Sequence, residues 1–294
     1  MQNSEFPNYF QASDNASTKA QKNYLTIMRI DLISMVLASA LAIYNYQATE
    51  SKLYIYVISG LLLLASLILT IILKTKKYED IWYQGRALAE SCKTLTWRFV
   101  TCSEYFENSI DVFEAKRRFT ERIKELSNEF RGLSNVMDSR TLNFAIITDK
   151  MLEVRAYDLA NRKSYYIKNR IEDQKNWYEN KAEFNSDRHN LWFWTIVASQ
   201  AASLVSIVIL IKTPDCDWNF VGLFTTISAS ALSWLQLKQH QELKQAYTTA
   251  TQELNFILAL AEQVSNEDNF SKFVLDSENA ISREHTLWLA QKRK

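Results

Sequence analysis

The sequence predicts an all-α membrane protein in which four transmembrane helices, arranged as two hairpins, carry long cytoplasmic helical extensions. Uncharged hydrophobic stretches over residues 32–46, 53–73, 191–211 and 220–237 are the first observation behind this. The second and third hold about 21 residues each; at ~1.5 Å rise per residue they match the ~30 Å hydrocarbon core. Inside a bilayer every backbone N–H and C=O must find a partner within the segment, so such stretches become helices. A second observation is that four Gly and two Pro in 294 residues leave few strand or turn signals. The third is the mean hydropathy of −0.22, low because charge-rich helical segments separate the hairpins.

Taken in order, residues 1–16 read as a flexible polar N-terminus and 17–28 as a helix leading into the first span. That span is the shortest, with Arg29 and Asp31 just outside it. After the second span no helix breaker intervenes, so residues 78–100 continue it. There Trp82, Arg86, Glu90, Lys93 and Trp97 recur at spacings of four, four, three and four, which puts them on one face as an interhelical seam. Residues 108–137 carry Phe119, Ile123, Leu126, Phe130, Leu133 and Met137 in a coiled-coil-like alternation suited to packing on a neighbouring helix. The halves divide near residue 140, giving domains at 17–140 and 141–294. Thr148 N-caps a helix running through Met151, Arg155, Tyr166 and Ile171 towards the third span, with a kink at Asn185, Ser186 and Asp187. The fourth span runs on through Tyr247 and Leu254; Asn266 to Asn269 interrupt it, and a last helix ends at Lys292-Arg293-Lys294.

Orientation follows from basic residues at the span ends. Lys19, Lys22 and Arg29 precede the first hairpin and Lys74, Lys76 and Lys77 follow it; Lys181, Arg188, Lys238 and Lys244 flank the second. Both termini are expected in the cytoplasm, with two short turns near Gln47 and Cys216 on the far side of the inner membrane. Residues 1–28 show no signal-peptide core, so the first span serves as the insertion signal. Tyr44, Tyr46, Tyr54, Tyr56, Trp192, Trp194, Trp218 and Trp234 at the span ends read as interfacial anchors.

Catalytic patterns are missing. Gly60, Gly85, Gly132 and Gly222 are isolated, so no phosphate loop is read. Cys92 and Cys102 lack metal-ligand spacing, and His189, His240 and His285 read as solvated or capping. No enzyme activity, cofactor or metal is expected, and a net charge of +1 gives no reason to expect nucleic acid as a partner. The spans are read as free of ionisable residues, which argues against an ion-coupled pathway. They do carry small and weakly polar stripes: Gly222, Thr225, Thr226, Ala229, Ser233 and Gln236 in the fourth, and Thr195, Ser199, Ala202, Ser203 and Ser206 in the third. Such a face packs against another helix or lines a pore once subunits assemble.

The run Trp82-x3-Arg86-x2-Ala89-Glu90-x2-Lys93-x3-Trp97, directly after a membrane hairpin, resembles the SLATT superfamily of two-span domains from bacterial second-messenger and conflict systems. The second half resembles another branch, through Tyr166-x3-Arg170-x3-Gln174-x2-Trp177-Tyr178 before its hairpin and Glu278-x2-Ile281-x2-Glu284-His285-x2-Trp288 near its end. Ile147-Thr148-x2-Met151-x3-Arg155 joins them as in tandem members. The resemblance implies a membrane-acting effector of bacterial antiviral defence, proposed to form pores when triggered, and implies no catalytic residues; a homo-oligomer is expected, with a nucleotide second messenger or a partner protein as the trigger classes. The alternative from another class is a non-conducting membrane-anchored scaffold whose helices bind a partner protein.

Overall fold

The computed structural model describes residues 1–44 and 49–292, without the side chains of Thr49 and residues 283–292. Tyr46, Gln47, Glu284, His285, Trp288 and the basic side chains of residues 292–294 therefore lie outside the described residues. Among these residues every regular element is helical: α1 (Asn8–Leu41), α2 (Thr49–Lys76), α3 (Tyr78–Val100), α4 (Val112–Glu129), α5 (Ser139–Leu142), α6 (Asp149–Arg155), α7 (Leu159–Tyr166), α8 (Asp173–Lys212), α9 (Val221–Lys238), α10 (His240–Ala261) and α11 (Glu267–Lys292). A π-helical segment, Ile167–Glu172, joins α7 to α8. Three stretches, Asn8–Leu41, Glu50–Val100 and Leu159–Lys212, contain helix long and apolar enough to cross a membrane.

Capping chemistry sets several boundaries. Thr148 caps α6 as expected, its hydroxyl accepting from the Met151 amide. The helix expected to run on from there is instead interrupted, because the Asp158 carboxylate accepts the Asn161 amide at 2.8 Å and starts α7 afresh. The kink expected at Asn185 to Asp187 is absent; α8 is unbroken there, and Asn185 directs its side chain to His240 Nδ1 at 2.7 Å. The expected run-on after the second and fourth spans is also corrected. Lys77 (φ 49°) and Gln239 (φ 48°) adopt left-handed backbone and separate α2 from α3 and α9 from α10. Each costs roughly 1–2 kcal/mol in a non-glycine residue, and the two halves carry this break at equivalent places.

The chain folds as two compact units. The core unit comprises residues 1–21, 79–182 and 245–294. Its interior gathers Phe6, Phe10, Leu88, Trp97, Phe99, Phe119, Ile123, Met151, Ile171, Phe270 and Val274. The expectation of a flexible 1–16 segment is overturned here: Phe6 and Phe10 are buried and α1 begins at Asn8. The reason lies in small residues. Ala12, Ser13, Ala16, Ser17 and Ala20 are buried along α1, and Gly85 on α3 comes so close that an added Cβ would sit 3.0 Å from the Ser13 carbonyl oxygen and 3.0 Å from Ser17 Cβ. Ser17 also donates to the Trp82 carbonyl at 2.9 Å. Gly85→Ala should therefore destabilise the protein by about 1–3 kcal/mol through overpacking. The check is thermal unfolding in detergent followed by tryptophan fluorescence; an unchanged midpoint would mean that α1 is not clamped to α3.

The membrane unit comprises residues 22–78 and 183–244. Small residues recur in its interior: Ser34 and Ala38 on α1, Ser199, Ser203 and Ser206 on α8, Ser228 and Ala231 on α9. Small side chains allow the close helix approach that membrane association needs. The two hairpin turns meet through an antiparallel bridge between Tyr44 and Trp218, whose rings lie 4.8 Å apart.

Helix α1 ends at Leu41 rather than continuing to residue 46, which changes the reading of the first span. Ten residues after Asp31 rise only about 15 Å, half of the ~30 Å core. Arg29 and Asp31 both lie within the 34-residue helix that is long enough to cross a membrane. Each has a partner there. The Arg29 guanidinium lies 5.0 Å from the Trp234 ring centroid, and Asp31 accepts a hydrogen bond from Ser66 on α2. Trp234, expected as an interfacial anchor, is buried at 7% exposure beneath that cation. Likewise His240 is buried, not solvated. Burial and the nearby cations Lys238 and Arg188, with His189, push its pKa down to about 4, so its imidazole is neutral near pH 7.

Candidate functional site

Charged side chains organise the core unit from within. Glu278 on α11 is fully buried and its carboxylate collects four donors from three other segments. Arg170, in the π-helical segment, holds it bidentately, Nε to Oε1 at 2.9 Å and an Nη to Oε2 at 2.8 Å. The Tyr166 hydroxyl donates to Oε1 at 2.9 Å from α7, and the Thr94 hydroxyl to Oε2 at 2.9 Å from α3. Burial alone works against the Arg170 charge, but Glu278 outweighs it and carries the guanidinium pKa above its ordinary value. Planar bidentate pairing fixes angle as well as distance, so this cluster sets the register of α3, α7 and α11.

Two further buried arginines close the unit. Arg162 on α7 pairs with Glu267 at the start of α11. Arg155 on α6 donates to the carbonyls of Phe99 at 2.7 Å and Phe106 at 2.9 Å and lies 5.0 Å from the Phe99 ring centroid. It thereby ties down the connection after α3, where Cys102 and Tyr105 take left-handed backbone. The sequence pattern did not single out Arg162. Arginines at helical spacing look the same whether they face water or a buried carbonyl, and no local signal separates the two.

The seam expected on α3 divides in two. Trp97 is deep in the core, with ring centroids of Tyr166, Tyr165 and Phe6 at 5.7, 6.2 and 6.3 Å. Arg86 pairs with Glu90 at 2.6 Å and with Asp14 of α1 at 3.4 Å near the surface. Lys93 is partly covered, and burial pushes its pKa down while Glu90 raises it. Trp82 stacks on Tyr83 at 4.8 Å. Beside these residues, Thr94 donates to Glu278 of α11, and Trp97 packs against Tyr165 and Tyr166 of α7.

The stripes in the membrane unit separate as well. That of α8 is turned inward, with Ser199, Ser203 and Ser206 buried. That of α9 is turned outward: Gly222, Thr225, Ala229, Ser233 and Gln236 are exposed and Thr226 is half-buried. Its hydroxyls are satisfied on their own helix, Thr225 donating to Val221 O at 2.9 Å and Thr226 to Gly222 O at 2.7 Å. Helix α2 is exposed along its apolar length, including Leu61, Leu63, Leu64, Ile68 and Ile71. Among the described residues no group of three His, Cys, Asp or Glu side chains is placed to hold a metal.

Two family models match in tandem. The SMODS and SLOG-associating 2TM effector domain 3 covers residues 7–163, more than half of the chain, and domain 1 of the same series covers residues 166–288. The chain belongs to the SLATT family. No curated protein and no solved structure matches it. Each SLATT match contains one hydrophobic hairpin, and they meet at residues 163–166, within and just before the Tyr166–Arg170 stretch, whereas the sequence pattern divides the chain near residue 140. The Glu278 cluster thus joins Thr94 of the first SLATT domain to Tyr166, Arg170 and Glu278 of the second.

Proposed function

We propose that this tandem SLATT protein is a homo-oligomeric effector that permeabilises the bacterial inner membrane when triggered in antiviral defence. The observation that carries the reading is the outward small-residue face of α9. Among the described residues nothing covers Gly222, Ala229 and Ser233, and such a small, weakly polar face suits contact with a second copy or a water-filled axis between copies. Helix α9 is 18 residues long, about 27 Å at 1.5 Å per residue, and on this reading it is the fourth span. The termini and the core unit then lie in the cytoplasm, where the core unit receives a nucleotide second messenger or a partner protein. A non-conducting scaffold is the competing reading, favoured by Phe113, Phe144 and Phe256, which stand exposed on the core unit.

Induced expression of the full chain during phage challenge, with single-cell recording of a potential-sensitive dye, separates the two. Depolarisation preceding growth arrest is the expected outcome. Growth arrest with the membrane potential intact would favour the scaffold.

A further inference from the structure

The membrane unit contains a cavity of about 690 Å³ between α1, α8 and α9, within the ~300–1,000 Å³ range of small-molecule sites. Its two ends differ in chemistry. At one end each helix contributes one cation: Arg29 from α1, Arg188 from α8 and Lys238 from α9. Among the described residues no Asp or Glu lines it, and His240 beside these cations is neutral near pH 7. Moving away from the cations along the same helices, the lining becomes Leu32, Val36 and Leu37 on α1, and Ile227 and Ala231 on α9. From Arg29 to Leu37 the helix rises about 12 Å, so the apolar part lies about two turns further along the spans from the end that carries the cations. Trp192 and Trp234 line the cavity too.

From this polarity we infer that the cavity is a binding site for an anionic phospholipid, its phosphate held by Arg29, Arg188 and Lys238 and an acyl chain lying along Leu32, Val36 and Ile227. Charge complementarity selects the headgroup: three cations converging on one end of the cavity attract a phosphate that bears net charge and discriminate against a zwitterionic one. The apolar walls select against a free anion, since burying that surface needs a hydrocarbon chain. The inference depends on the membrane unit alone and holds whether or not the protein conducts.

Native mass spectrometry of the full chain, released from nanodiscs containing equal amounts of dioleoylphosphatidylglycerol and dioleoylphosphatidylcholine, tests it. Retention of phosphatidylglycerol over phosphatidylcholine is expected. Arg188→Gln, at an exposed position compatible with folding, should weaken that retention roughly fivefold, and Arg29→Gln with Arg188→Gln about 25-fold. Lys74→Gln with Lys76→Gln, which removes charge away from the cavity, should leave it unchanged. Leu37→Trp, which fills the apolar end and spares every cation, should also reduce retention. Equal retention of both lipids, indifference to Arg188→Gln and Leu37→Trp, or displacement of the lipid by millimolar inorganic phosphate would each overturn the assignment.

Discussion

Glu278→Ala is expected to destabilise the protein by about 3–5 kcal/mol, the cost of leaving a buried ion without its partner. Arg170 is 2% exposed and would keep its charge with no carboxylate hydrogen-bonded to it among the described residues, while Tyr166 and Thr94 would lose an acceptor. Glu278→Gln should cost less, because the amide keeps an acceptor oxygen and the volume. The double change Arg170→Met with Glu278→Leu should recover most of the loss, since exchanging a buried pair for apolar groups of similar size is often neutral. Thermal unfolding of the unsubstituted protein, Arg170→Met, Glu278→Leu and their double variant in one detergent forms the cycle. Additive single effects would mean that the pair does not act as a unit.

Trp97→Ala should cost about as much, roughly 3–5 kcal/mol, as a large aromatic is removed from a filled interior. Trp97 is 1% exposed and stands between Phe6 near the N-terminus and Tyr165 and Tyr166 of α7. Its loss should therefore loosen the N-terminal segment together with α7, raising hydrogen exchange in residues 6–12. Among the described residues its indole Nε1 has no hydrogen-bond partner. Trp97→Phe should accordingly lose only volume, at well under half the cost. Equal losses for the two substitutions would point to a polar role for the indole.

The three helices long and apolar enough to cross a membrane were legible because hydropathy over about 20 residues is a sum that no single residue can mask. The packing helix at residues 112–129 was legible for a similar reason: Phe119 and Ile123 recur on its buried face. Two kinds of feature were not. Order at the N-terminus depends on Ser13 and Ser17 meeting Gly85 some 70 residues away, and small polar residues in a polar stretch carry no sign of such a meeting. The buried arginines fail for a complementary reason, since Arg155, Arg162 and Arg170 sit in runs that look like a solvated helix surface. Tyr166, Arg170 and Glu278 did stand in the motifs of the family resemblance; the structure adds that they converge on one carboxylate. On the first span the sequence ran the helix on to residue 46, whereas α1 ends at Leu41.

The proposed effector mechanism puts the exposed face of α9 along the axis of an assembly and the uniformly apolar α2 against lipid. With no charged ring on α9 between Val221 and Leu237, selectivity should be weak and closure should depend on an apolar constriction that dewets. The direct measurement is single-channel current through the full chain in planar bilayers, with cysteines placed singly at Thr225, Ala229 and Ser233. A Cys216→Ser background removes the one partly exposed thiol; Cys92 and Cys102 are buried, and burial raises the pKa of both, Cys92 to about 12. Block by a water-soluble thiol reagent at all three positions is the predicted result. Absence of current, or current untouched at all three positions and blocked from α8 instead, would contradict it.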